Sequence, residues 1–165
     1  MGQERAIVAL GGNLGDPRAS FAAALALMEQ KLGPILARSN FRETAPLVLP
    51  GDDPAEHPTY LNGVVIVAVE AEALTILSTL HDIERSLGRD RSAEAGRWQP
   101  RLIDLDLIAL EDVVIDGPEL MLPHPRMAER AFVLTPLVEV WPDWRHPRLG
   151  KTVLELLAEL EAGTK

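Results

Sequence analysis

Leu102-Ile103-Asp104-Leu105-Asp106-Leu107-Ile108-Ala109-Leu110 is an apolar run broken twice, two positions apart, by a carboxylate. Its length and its leucines and isoleucines predict a strand. Side chains two apart on a strand share a face, so Asp104 and Asp106 project together while Ile103, Leu105 and Leu107 turn away. Upstream of this strand, Ala6–Leu10 is a short apolar run ending in Gly11-Gly12, read as a buried strand. Asp16-Pro17 then supplies a helix cap and a first-turn proline, followed by Phe21, Leu25, Met28 and Leu32 at helical spacing and Gly33-Pro34 as the stop. Ile35–Arg42 reads as a second strand and the β-branched Tyr60–Val69 as a third. Glu72–Leu87 is an amphipathic helix closed by Gly88. With Leu102–Leu110 last, the order is β-α-β-β-α-β, an α+β arrangement of ferredoxin-like type with an antiparallel sheet and both helices on one face. A short strand at Val113–Ile115, a proline-rich stretch and a final helix from about Val153 to Leu160 follow. Thr152 and Glu155 stand at capping-box spacing before that helix, which is expected to cover the other sheet face.

The chain has 165 residues, 47% of them hydrophobic and 25% charged, which suits one globular domain over 1–165. It has no cysteine, so disulfides, thiolate metal sites and cysteine nucleophiles are excluded. Met1 to Arg5 lacks the layout of a signal peptide, and runs such as Val64–Val69 are too short to cross a bilayer. The expectation is a cytoplasmic protein with no membrane partner. A formal charge of −9 argues against sequence-independent nucleic-acid binding, which needs cationic surface. Yet residues 85–101 hold five arginines against Asp90 and Glu94. Such an island suits a compact anion, or it is simply a solvated arginine-rich helix end.

Two carboxylates on one strand face repel, so a cation is expected between them, and magnesium prefers one or two carboxylates plus substrate phosphates. Alternatively the pair is a solvated strand face. Arg89, Arg91, Arg97 and Arg101 lie just upstream, and guanidinium forks bind phosphate oxygens bidentately. No P-loop pattern occurs, and Gly11-Gly12-Asn13-Leu14-Gly15 does not match the dinucleotide fingerprint. Tyr60 and Asn62 share a strand face, an aromatic plate beside an amide that suits a flat heterocycle. Pro123-His124-Pro125-Arg126, Arg130 and Phe132 add an imidazole, cations and a ring. Two long connections, Thr44–Pro58 and Gly88–Pro100, the second holding Trp98, have the length of functional lids or of disordered segments.

In this order the motifs resemble the 6-hydroxymethyl-7,8-dihydropterin pyrophosphokinase family of folate biosynthesis. The resemblance rests on Gly11-Gly12-Asn13-Leu14, Tyr60-Leu61-Asn62, Glu84 with Gly88-Arg89-Asp90-Arg91, the block Arg97-Trp98-Gln99-Pro100-Arg101-Leu102-Ile103-Asp104-Leu105-Asp106, and Pro123-His124 followed by Arg130 and Phe132. It implies transfer of the terminal diphosphate of ATP to the pterin hydroxymethyl group, releasing AMP. Asp104 and Asp106 would hold two magnesium ions, and Arg91, Arg101, His124 and Arg130 would contact phosphates. Asn62 would read the pterin edge between Tyr60 and Phe132, with backbone around Thr44 and Leu47 completing the pocket and Trp98 closing over it. Glu84, through Asn13, would support the pterin end, and Arg89 would be a further supporting residue. Gln99 and Gly12 depart from the family's usual Gly or Ala and Ser. A monomer is the family expectation. Two rival readings share the fold class: a palm-type nucleotidyl transferase, and a non-catalytic nucleotide- or RNA-binding module.

Overall fold

A computed structural model describes residues 3–13, 16–44, 51, 60–88 and 103–163. The chain is mixed α+β, built on an antiparallel sheet whose strands are β1 (Glu4–Gly12), β2 (Ile35–Arg38), β3 (Arg42–Thr44), β4 (Tyr60–Val69) and β5 (Asp104–Leu110). The order across the sheet is β2-β4-β1-β5, and β3 lies along the same edge of β4 as β2. The strand expected over 35–42 is thus divided: β2 pairs with Val65–Val67 and β3 with Tyr60–Asn62. The break falls where the Ser39 hydroxyl accepts from Val64 N–H at 3.0 Å and Glu139 takes Asn40 N–H at 3.0 Å. Side chains there supply the bonds that a ladder would otherwise make.

Helices α1 (Pro17–Lys31) and α2 (Ala73–Ser86) lie where helical spacing predicts them. Asp16 caps α1 through Ala19 N–H, and Pro17 takes the first turn. Ala6, Val8, Leu10, Leu61, Val65, Val67, Leu105 and Leu107 form one core with Phe21, Leu25 and Met28 of α1 and Ile76, Leu80 and Ile83 of α2. Ile7, Ala9, Val64, Ile66, Ile108 and Ala109 point the other way, into a second core with Val133, Leu134, Leu137, Val153 and Leu156. A register shift between Ile7 and Val8 against β5 puts Ile108 and Ala109 on that same side, so Leu110 rejoins the first core.

The second core is capped by α3 (Ala131–Val140) and α4 (Val153–Gly163). Helix α4 carries the expected box: Glu155 N–H donates to Thr152 Oγ1 at 3.2 Å, and Thr152 N–H to Glu155 Oε1 at 3.0 Å. Helix α3 forms within the stretch described from sequence only as proline-rich, and Pro136 lies inside it. Proline removes one helical rung, but the burial of Val133, Leu134 and Leu137 outweighs that loss. The short strand expected at 113–115 is displaced to β6 (Ile115–Asp116), paired with β7 (Met121–Leu122). Trp141 and Trp144 pack against the second core. Trp144 is buried with its indole N–H on Glu111 O at 2.9 Å, and Trp141 lies under the Arg5 guanidinium.

Candidate active site

The α3-side face of the sheet changes character along its strands. On β4 it reads Tyr60, Asn62, Val64, Ile66, and on β5 Asp104, Asp106, Ile108. The apolar half is covered by α3 and α4. The polar half lies beyond that cover.

Register sets the layout there. Gly11 of β1 pairs with Asn62 on one side and Asp104 on the other, and Ala9 pairs likewise with Val64 and Asp106. Cross-strand partners share a face, so the amide and both aspartates line one floor with only Ala9 and Gly11 between them. A Cβ on Gly11 would stand 3.5 Å from Asn62 Oδ1 and 3.8 Å from the Tyr60 ring. The glycine therefore leaves a shallow gap between amide and acids. Asp104 and Asp106 are each half-buried, while Leu105 and Leu107 between and beside them are fixed in the first core.

The strand under the aspartates is held from α2. Glu84 is 1% exposed and its Oε2 accepts Leu105 N–H at 2.7 Å. Glu84, expected as a supporting residue, holds with its carboxylate the backbone between the two acids. Asn13 is buried immediately after β1.

Asn62, 7% exposed, donates from Nδ2 to Thr44 Oγ1 at 2.7 Å, which sets the amide's orientation. Beside it is a cleft of about 250 Å³ between β3 and α3, lined by Arg42, Glu43, Thr44 and Asn62 on the sheet side and Ala131, Phe132, Thr135 and Pro136 on the helix side. Tyr60 stands one step along β4, paired with Thr44. Phe132 is 41% exposed, with the Arg130 guanidinium 5.6 Å from its ring centre. A larger, open groove of about 400 Å³ lies between α1 and β2, but its lining, Leu25, Ala26, Glu29 and 35–38, offers no convergent polar set. The smaller cleft is the better candidate.

His124 is tied to β5 by its N–H, which donates to Ile108 O at 2.7 Å. Burial lowers its pKa from the usual 6.5, the charges of Arg130 and Arg126 lower it further, and Asp104 opposes them. Its Nδ1 accepts Arg126 N–H at 3.1 Å, so the neutral ring carries its proton on Nε2 and is a donor there.

Thus Tyr60, Asn62, Thr44, Asp104, Asp106, His124, Arg130 and Phe132 are gathered on one side of the sheet. Leu47, Arg89, Arg91, Trp98 and Arg101 lie outside the described residues. Sequence reading missed the cleft residues Arg42 and Glu43 on the strand and Ala131, Thr135 and Pro136 on the helix. The spacing of Val133, Leu134, Leu137 and Trp141 signals the helix that carries the last three, but Pro136 masks it.

Among the described residues no group of three metal-ligating acids or histidines occurs. A half-buried carboxylate pair fits a magnesium ion that completes its shell with water and phosphate oxygens, and does not fit an all-protein metal cage. Among the described residues no helix is long and apolar enough to cross a membrane.

The family model for 7,8-dihydro-6-hydroxymethylpterin-pyrophosphokinase matches residues 7–142. Similar relatives are 2-amino-4-hydroxy-6-hydroxymethyldihydropteridine pyrophosphokinases. The one from Pseudomonas aeruginosa is 38% identical, covering 94% of this chain and 91% of its own. The one from Methylorubrum extorquens is 38% identical, covering 95% and 94%. A crystal structure of wild-type HPPK-DHPS from Plasmodium falciparum matches 99% of this chain with a TM-score of 0.76 at 16% identity, and the match spans 46% of that longer chain. That last likeness speaks for the fold alone. The extent of the family match and of the two bacterial alignments leads to one conclusion: the chain belongs to the 7,8-dihydro-6-hydroxymethylpterin pyrophosphokinase family.

Proposed function

We propose that this chain, as one domain over 1–165 with a ferredoxin-like sheet and a C-terminal helical cover, transfers the β,γ-diphosphate of ATP to the hydroxymethyl group of 6-hydroxymethyl-7,8-dihydropterin. The products are AMP and the pterin diphosphate, in folate biosynthesis. The observation that carries the reading is the single floor shared by Asn62, Gly11, Asp104 and Asp106. It sets a reader of flat heterocycles one strand away from a pair of phosphate-metal ligands. The nucleotidyl-transferase and RNA-module readings are not favoured, since the family match spans most of the chain.

Asp104 and Asp106 would hold magnesium, two ions in this proposal, which neutralises the triphosphate and polarises the phosphorus under attack. The cleft between Thr44, Asn62 and Phe132 binds the pterin, with Tyr60 on the neighbouring floor. The Asn62 amide, held by Thr44, orients the ring edge. The hydroxymethyl oxygen is thereby directed over Gly11 towards the acids. Nε2–H of His124 and the guanidinium of Arg130 donate to phosphate oxygens, Arg91 and Arg101 would join them there, and Trp98 would close over the pterin pocket. Leu47 backbone and the supporting Asn13, Glu84 and Arg89 finish the set. The hydroxyl attacks the β-phosphorus, the bond to the α-phosphate bridging oxygen breaks, AMP leaves, and the hydroxyl proton passes to solvent. Positioning and electrostatics dominate such a transfer. The working form is a cytoplasmic monomer.

Product analysis with magnesium-ATP and the hydroxymethyl-dihydropterin tests this. AMP and the pterin diphosphate are expected, with turnover lost in Asp104→Ala and in Asp106→Ala. ADP or pyrophosphate as product, or both variants fully active, would refute it.

A further inference from the structure

We infer that Arg42 and Glu139 form a positioning pair that sets the spacing between the sheet wall and the helix wall of the cleft, and thereby the affinity for the heterocycle; this rests on reading that cleft as the pterin subsite. The two walls belong to different elements, so something must fix their separation. On α3 the positions 132, 135, 136 and 139 follow i, i+3, i+4, i+7 spacing and form one stripe. The first three line the cleft. The fourth, Glu139, bonds the opposite wall. Its Oε2 accepts from Arg42 Nη2 at 2.6 Å and Nε at 3.1 Å, and its Oε1 accepts Asn40 N–H at 3.0 Å. Arg42 and Thr44 lie two apart on β3, opposite Asn62 and Tyr60. The guanidinium therefore ties Glu139 to the strand that also holds the Asn62 amide through Thr44.

Pro136 makes this tie matter. It has no N–H for the Phe132 carbonyl four residues back, so the helix between Phe132 and Glu139 lacks a rung and is prone to bend there. A fixing point beyond the proline holds the stripe in register with β3. The arginine side chain is 50% exposed and the glutamate 24%, a setting in which an ion pair adds little to global stability. Its consequence is local geometry.

The test measures steady-state constants and thermal unfolding for Arg42→Gln, Glu139→Gln, the double variant and, as a reference, Phe132→Ala. Each single change is expected to raise the pterin KM about 5-fold, a size set by a few partly exposed charged hydrogen bonds. The ATP KM and kcat should stay within about 2-fold, because misplacement is confined to one subsite. The double variant should cost no more than either single, the non-additivity of a coupled pair. Additive effects, an equal rise in the ATP KM, or an unchanged pterin KM beside a raised one in Phe132→Ala would overturn the pair's role. An unchanged pterin KM in Phe132→Ala as well would overturn the subsite itself.

Discussion

Replacing Glu84 by alanine perturbs the aspartate pair without touching it. The carboxylate is 1% exposed and accepts Leu105 N–H at 2.7 Å, and Leu105 is itself buried. Loss of a hydrogen bond to a charged acceptor costs about 1.5–3 kcal/mol, because the amide is left in the interior without that partner. The one lost methylene adds about 0.8 kcal/mol before any collapse of the void. Against this, burying a carboxylate has its own desolvation cost, which alanine relieves. The acceptor deficit outweighs the relief only if the N–H cannot turn elsewhere, and a β-strand backbone cannot rotate freely. A net loss of about 2–4 kcal/mol follows, read as a drop of about 5–15 °C in Tm for a chain of this size. Glu84→Gln keeps a carbonyl oxygen for Leu105 at nearly the same volume and should lose less than about 1 kcal/mol. Urea unfolding, with the midpoint compared at constant slope, gives the stability arm. Titration of magnesium with a non-hydrolysable ATP analogue gives the site arm, where the alanine variant should bind more weakly and the glutamine variant should not. An alanine variant as stable as the parent, or a glutamine variant equally damaged, would refute the acceptor argument.

Two further outcomes follow from the same floor and from the C-terminal turn. Gly11→Val should fold, since a Cβ there meets only ordinary contacts, yet lose about 100-fold in turnover as the branched side chain fills the gap between Asn62 and Asp104; unaltered kcat would show that the gap is not the reaction path. His146 is buried, and its Nδ1 accepts N–H from Arg148 and Leu149, each at 3.2 Å. Burial and then the Arg148 charge lower its pKa from 6.5. The unfolded chain therefore takes up a proton that the folded chain resists, so stability is full above about pH 6.5 and falls as the pH drops below it. Thermal melts between pH 7.5 and 5 should show this loss, and His146→Asn, which keeps an acceptor but does not titrate, should make it shallower, leaving the part that His124 contributes. An unchanged pH slope in that variant would remove His146 from the account.

Much of this was legible because it depends on near neighbours in the chain. The period-two pattern from Asp104 puts both acids on one face whatever the sheet's partners, and Asp16-Pro17 caps α1 by local bonds. The Thr152–Glu155 box is equally local. What escaped depends on long-range contacts. Pro136 argues against a helix at its own position, and only packing of Val133, Leu134 and Leu137 onto Ile7, Val64 and Ile66 reverses that preference. The break between β2 and β3 needs Glu139, 99 residues from Asn40. Glu84 reaches Leu105 across 21 residues, so no spacing rule could say that it grips the aspartate strand.

The chain solves a problem of burial by splitting a single sheet face. Were Asp106 placed two residues further along β5, it would take the place of Ile108 in the second core, where a carboxylate would lose several kcal/mol of hydration. Were the face polar throughout, α3 and α4 would have nothing to cover, and the walls of the cleft would lack support. The change of character between Val64 and Asn62 on β4, and between Ile108 and Asp106 on β5, falls on neighbouring rows of the ladder, joined through Ala9 and Gly11. The apolar rows anchor α3 through Val133, Leu134 and Leu137, and α3 in turn presents Phe132 over the polar rows. One residue of slip in β5 would exchange the acids for Leu105 and Leu107 on that face, abolishing site and second core together. The bulge at Ile108–Ala109 and the Glu84 bond to Leu105 both act on that register, one on each side of Asp106. Fold and site therefore stand or fall on the same strand alignment.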